Sequence, residues 1–304
     1  MATASSSSSP SSSSTPGPAP WRKPFLDHVQ SMASPEFALG TVRKQDSSSS
    51  AHHYAPRVRT CIFRGLLAGL PVNPKNEASL NPDVCDSDLL TFTTDRRMDK
   101  MAELFGADAE SESEGKLLSD GSGGGAPVEA TFWAQGSSTQ WRVRGKAYVL
   151  APDVETSEEG KRVIALLTTR MRRRKENHDD GGGNDKKGGE EQWSFAREIT
   201  AHFGNLSPLM RGSFRNPPSG TPVAVPVNDD RLGLGQKVTD LNDEVARANF
   251  RLVVVVPDQV DRADLSDPER GRRWLYTYVG GDEVEPTKSG GLVESGWEKV
   301  EVWP

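Results

Sequence analysis

Apolar and polar positions alternate along most of the chain, and the period changes at only a few places. Over 128–151, Ala130, Phe132 and Ala134 alternate into a Gly-Ser-Ser turn. Trp141, Val143, Gly145 and Ala147 then alternate against Gln140, Arg142, Arg144 and Lys146, which predicts a β-hairpin. The run 251–261 is β-branched without alternation, so it predicts a strand buried on both faces. Further strands are predicted over 36–44, with Phe37, Leu39, Thr41 and Arg43 on one side, and over 57–65, 89–94, 272–281 and 297–304. Helical spacing appears at Trp21, Phe25, Val29 and Met32 (helix 21–33), and at Met101, Leu104 and Phe105 (helix 99–107). Residues 160–172 also read as helix. Residues 193–218 read as two short helices, the second capped at Asn205 or Ser207 and ending before Pro217. The Pro/Asn-rich stretch 66–88 reads as an irregular loop, and 236–250 fits neither period. Short antiparallel strands with a few helices make the chain mainly β and favour a small barrel.

Composition changes this picture mostly at the edges. The Ser/Pro-rich residues 1–20 read as a disordered tail without the apolar core of a secretory signal. Acidic, Gly-rich stretches near 108–126 and 173–191 read as disordered inserts in one domain spanning 21–304. The formal charge of -6 gives no global case for nucleic acid. The basic run 170–175 stands beside acidic and Gly-rich residues, as a solvated insertion would. No apolar run is long enough to span a membrane, and two cysteines are too few for a disulfide framework. A cytoplasmic setting without membrane or nucleic-acid partners follows as the expectation.

The charge that stands out is local. Arg59 and Arg64 bracket the strand 57–65, while Arg96, Arg97 and Lys100 fill the turn between the strand 89–94 and the helix after it. Cations and unpaired N–H groups at a helix start suit a phosphate group. The same residues also fit a plainer reading, in which solvated arginines keep strand edges from aggregating. Trp274, Tyr276, Trp297 and Trp303 read as packing residues.

A set of motifs in order carries a resemblance: Arg-Thr-Cys-Ile-Phe-Arg at 59–64, Phe-Thr-Thr-Asp-Arg-Arg-Met-Asp-Lys at 92–100, Gln-Trp-Arg-Val-Arg-Gly at 140–145, Leu-Ser-Pro-Leu-Met-Arg-Gly-Ser-Phe at 206–214, the 253–261 strand, and Arg-Arg-Trp-Leu-Tyr at 272–276 with the terminal Trp297–Pro304. The chain resembles the pyridoxamine 5'-phosphate oxidase-related FMN-binding split barrels, in particular an uncharacterised branch of cyanobacteria, plants and fungi. That resemblance implies a six-stranded antiparallel split β-barrel with flanking helices, assembled as a homodimer with FMN at the subunit interface. It implies that Arg59 and Lys100, joined by Arg97, grip the FMN phosphate. Thr60, Ile62, Phe63 and Arg64 would pass the flavin ring, and Thr93 and Thr94 would meet the ribityl-phosphate. Gln140 from the partner subunit and Arg273 would approach the ring, the latter stabilising reduced flavin.

The sequence departs from the family pattern at three places. Arg64 stands where the oxidases have a substrate-binding lysine, which changes the geometry. Met98 and Asp99 replace a serine and an arginine of the phosphate turn. The residues that hold the substrate phosphate have only Ser207 and Arg211 as rough counterparts. Two functions are therefore carried forward: a flavin-dependent oxidoreductase acting on a small anionic substrate, and a non-catalytic flavin-binding or scaffold barrel. No catalytic acid–base pair, nucleophile or metal-ligand set is visible in the sequence.

Overall fold

The computed structural model describes residues 17–45, 53–106, 112–113, 116–174, 192–281 and 284–304. In chain order the elements are α1 (Arg22–Gln30), β1 (Glu36–Gln45), β2 (His53–Leu66), β3 (Cys85–Ser87), β4 (Leu90–Asp95), α2 (Lys100–Phe105), β5 (Glu112–Ser113), β6 (Lys116–Leu117), β7 (Gly123–Ala134), β8 (Thr139–Leu150), α3 (Glu158–Thr168), β9 (Met171–Arg173), α4 (Phe195–Gly204), α5 (Pro208–Gly212), α6 (Glu244–Asn249), β10 (Phe250–Asp264), β11 (Arg272–Tyr278), β12 (Leu292–Glu294) and β13 (Trp297–Val302).

Six strands close into a ring, in the order β10, β4, β2, β1, β7, β8 and back to β10, with all pairs antiparallel. The long β10 makes the barrel a split one. One edge pairs with β8 from Leu252 to Asp264. The other pairs with β4 over Phe250–Val255 and then with β11 over Gln259–Asp264. Strands β13 and β12 continue outward from β11. This is the expected six-stranded antiparallel split barrel with flanking helices.

Side-chain alternation fixes two cores. Val253, Val255 and Val260 face the barrel interior with Phe37, Leu39, Phe63, Phe92, Phe132, Trp141 and Val143. Leu252, Val254 and Val256 face outward against Val163 and Leu167 of α3, Ile199 and Phe203 of α4, Phe214 and Ala246. The run of valines is thus buried on both faces, as its lack of alternation requires. Helix α1 inserts Phe25 among Phe63, Phe132 and Trp141, with ring centroids 5.0–5.7 Å apart. Helix α2 packs near the other end of β7, where a side chain on Gly123 would strike Phe105. The second short helix of the 193–218 segment does start at a Ser207 cap, and its hydroxyl accepts from the Met210 N–H. In the ambiguous stretch 236–250, only Glu244–Asn249 is helical before β10 begins at Phe250.

Two expected boundaries differ. The segment read as an insert from 108 to 126 carries a short 3-10 turn at Leu118–Asp120, and its last four residues belong to β7. There Gly123 and Gly124 lie where a Cβ would collide with Phe105 and the Ala147 carbonyl, so glycine marks close packing rather than disorder. Residues 107–111 and 114–115 lie outside the described residues, as do 175–191 of the second insert. Three arginines of the basic run before that insert are engaged within the chain. Arg170 lies over the Tyr278 ring and donates to the Pro257 carbonyl, Arg172 joins Asp86 and Asp88, and Arg174 pairs with Asp83. Among the described residues no helix is long and apolar enough to cross a membrane.

Candidate functional site: a slot between β2 and β4

The ring is weakest between β2 and β4. Their ladder holds only Phe63 opposite Phe92 and Leu66 opposite Leu90, with a register shift between them. The cause is local. Gly65 sits at φ +101°, and a Cβ there would meet Pro71 Cδ at 2.4 Å, while the Thr91 hydroxyl ties the Gly65 carbonyl at 2.8 Å. Beyond the kink the strands diverge. β2 is paired on its β1 edge from His53 to Ile62, and β4 on its β10 edge through Asp95, so the facing main-chain edges of Thr60–Ile62 and Thr93–Asp95 lack ladder partners. Such edges are ready to hydrogen-bond a planar polar ligand.

A cavity of about 600 Å³ fills this slot, within the usual range for small-molecule sites. Thr60, Ile62 and Arg64 line it from β2, Thr93, Thr94 and Asp95 from β4, and Arg97, Met98 and Lys100 from the turn into α2. The segment 210–214 and a strap over 216–234 supply the remaining wall. A second cavity of about 330 Å³ shares Met98, Lys100 and Ser219 with the first and continues past Arg57 and Arg59.

The charges fall into two kinds. Arg97 is neutralised by Asp95 at 2.6 Å and spends its other nitrogens on the Asn216 and Phe214 carbonyls, so it clamps the foot of the strap. Lys100 and Arg64 have no carboxylate partner within ion-pair distance among the described residues. Lys100 reaches only the Thr94 hydroxyl (3.1 Å) and Met98 Sδ (2.9 Å). Burial, with some repulsion from Arg59, holds its ammonium below the usual lysine value. Arg64 is held down by burial as well, and its Nε is buried without a hydrogen-bond partner. Two desolvated cations facing one cavity favour an anion.

The sequence-predicted residues separate by strand face. Thr60, Ile62, Arg64, Thr93, Thr94, Arg97 and Lys100 all come together at the cavity. Arg59 does not line it, because residues of opposite parity on a strand point to opposite faces. Its guanidinium is bonded to the Glu103 carboxylate and the Thr41 hydroxyl, and it borders only the smaller cavity. Phe63, on the same face, is in the barrel core, and its N–H is taken by the Pro35 carbonyl. Gln140 and Arg273 lie away from the slot, on β8 and β11. Arg273 is paired in a two-pronged contact with Asp261, which also holds Arg142.

Ser207 and Arg211 stand apart from the cavity. Ser207 caps α5, and Arg211 is buried with its Nε donating to the Val238 carbonyl at 2.9 Å and Nη1 to the Gly204 carbonyl. Residues that the sequence reading missed are Glu103, three positions after Lys100 on α2, and the strap valines. Glu103 carried one available signal, a lone carboxylate amid the apolar α2 face.

Comparison with known proteins bears on the same walls. Residues 18–151 match the family model described as pyridoxamine 5'-phosphate oxidase, FMN-binding domain. The matched stretch spans β2, β4 and α2, and it stops short of the strap and β10. Among solved structures, a pyridoxamine 5'-phosphate oxidase-related, FMN binding protein from Nostoc punctiforme PCC 73102 is 18% identical, with a TM-score of 0.51 over 95% of this chain and 100% of that one. At that identity the likeness shows a shared fold. PhzG from Burkholderia lata 383 is 14% identical, with a TM-score of 0.32 over 92% of this chain and 88% of that one. No curated protein matches the sequence.

Proposed function

We propose that the chain binds FMN in the slot between β2 and β4 and acts as a flavin-dependent oxidoreductase on a small anionic substrate. The observation that carries this reading is the pair of half-buried cations without a carboxylate partner among the described residues, Lys100 and Arg64, beside two strand edges without ladder partners. Lys100, steadied by Thr94, would hold the phosphate where the two cavities meet, with Arg59 nearby. The free edges of Thr60–Ile62 and Thr93–Asp95 would bond the polar rim of the ring. Bound flavin supplies two-electron redox chemistry, and the chain supplies orientation and charge.

The alternative, a flavin-binding barrel without catalysis, draws support from one feature. The sole carboxylate lining the cavity, Asp95, is tied to Arg97, so no free carboxylate faces the slot among the described residues. We further propose a cytoplasmic homodimer. Gln140, Arg142 and Arg273 lie on sheet positions opposite in parity to core-facing Trp141 and Trp274, from which they would reach a partner. Sedimentation as a monomer would remove that role for them.

Fluorescence titration of the full chain with FMN and with riboflavin tests the cofactor reading. FMN should bind at least about tenfold more tightly, since a charge-assisted contact contributes roughly 1.5–3 kcal/mol. Lys100→Met should abolish most of the difference. Equal affinities in the unaltered chain would refute the placement of the phosphate.

A further inference from the structure

The cavity has an unequal pair of ends. Phe63 lies opposite Phe92, so in an antiparallel register Thr94, and the Lys100 ammonium bonded to it, stand level with Cys61. Arg64 is three residues further along β2, roughly 10 Å away at the rise of an extended chain. If Lys100 takes the cofactor phosphate, one uncompensated cation is left at the opposite end. Arg97 cannot add to it, because Asp95 neutralises it and the strap carbonyls occupy its remaining donors.

Part of the cavity wall is apolar. Met210, Phe214, Val223, Val225, Val227 and Leu234 line it from 210–214 and the strap. Of these, Val223, Val225, Val227, Leu234 and Met210 are exposed, an apolar surface lining the same cavity as Arg64. The strap's ends are fixed: Arg215 pairs with Asp243 at 3.0 Å and donates to the Arg231 carbonyl, and the Gly233 N–H returns to the Arg215 carbonyl. Its centre, 217–229, has few main-chain hydrogen bonds, so the valines are presented on a span free to settle on a ligand.

We infer that the substrate is an apolar monocarboxylate with a flat body. This rests on the FMN reading for the other end of the slot. The carboxylate pairs with the Arg64 guanidinium, whose fork matches two coplanar oxygens, and the body lies against the strap valines. A phosphomonoester is disfavoured, because its second charge has no partner: Ser207 and Arg211 are engaged elsewhere. A neutral substrate is disfavoured too, since it would leave the half-buried Arg64 without a counter-charge and its buried Nε without an acceptor.

The test uses the full chain loaded with FMN, titrated by calorimetry and by perturbation of the flavin band. The probes are 2-naphthoate, its neutral isostere 2-naphthamide, and pyridoxamine 5'-phosphate. The expected result is 2-naphthoate binding at least about tenfold more tightly than either of the others. In Arg64→Gln the naphthoate-to-naphthamide ratio should collapse towards one, and in Arg64→Lys it should fall part-way. A Val223→Ser/Val225→Ser/Val227→Ser variant should weaken both naphthalene probes alike and keep their ratio. Comparable binding of the two naphthalene probes, preference for the phosphate ester, or an unchanged ratio in Arg64→Gln would each overturn the inference while FMN binding stands. A chain that takes up no FMN at all overturns the cofactor reading, and this inference falls with it.

Discussion

Glu103 sets a cost that can be measured apart from any ligand. Its side chain is 1% exposed and accepts from Arg59 and from the Thr41 hydroxyl, whereas the Arg59 side chain is 22% exposed. In Glu103→Leu both donors lose their acceptor at a site that water reaches only from the Arg59 side. Removing one partner of a fully buried pair costs about 3–5 kcal/mol. Partial access to Arg59 lowers the expected loss to about 2–3 kcal/mol, a fall in Tm of roughly 3–5 °C for a chain of this size. Urea and thermal unfolding of the FMN-free protein would read this. The same variant frees the Arg59 guanidinium beside Lys100, so FMN affinity should rise while stability falls. In a double-mutant cycle, Arg59→Met/Glu103→Leu should lose less than the sum of the two single changes. Full additivity, or a Glu103→Leu variant as stable as the original chain, would show that the pair does not lock β1, β2 and α2 together.

Three further outcomes follow from the same geometry. Arg97→Met removes the clamp between Asp95 and the Phe214 and Asn216 carbonyls, so amide exchange over 213–218 should quicken and ligand affinity should drop about tenfold; unaltered exchange would remove the clamp. Because burial holds Lys100 below its unfolded value of 10.5, the unliganded protein should gain stability as pH rises from the lowered value towards 10.5. FMN binding needs the ammonium and should weaken over the same rise, and Lys100→Met should flatten both trends in parallel titrations. Gly65→Ala forces a Cβ at φ +101° against Pro71, so it should destabilise by roughly 1–3 kcal/mol in urea unfolding and disturb the slot; a neutral effect would mean that the kink is not needed.

Much of the barrel could be read from residue periods. The alternation of Ala130, Phe132, Trp141 and Val143 gives the β7–β8 hairpin, and the unbroken valines of β10 announce two buried faces. The strand pair carrying Arg64, Thr93, Thr94 and Lys100 was likewise visible, because charges gather there against a β-branched background. The opening between β2 and β4 was not. It follows from the positive φ of Gly65 at the end of β2, which the alternation of the strand does not mark. The split between Arg59 and Arg64 follows from parity alone, since five residues separate them and a strand turns such a pair to opposite faces. What parity could not give is the partner, Glu103, which meets Arg59 only when α2 folds back over β7 and β1. Arg211 misleads for a related reason: a guanidinium in a polar-looking segment is in fact buried on the carbonyls of Gly204 and Val238. The strap has no period at all, so its place over the cavity emerged only with Arg97 and Arg215 holding its feet.

The most direct test is the visible spectrum of the full chain purified without added cofactor, followed by release and mass identification of any chromophore. The expected result is a yellow protein with flavin absorbance that releases FMN in close to equimolar amount. A colourless protein that also fails to take up added FMN would contradict the account, and would leave Lys100 and Arg64 to serve a different anion.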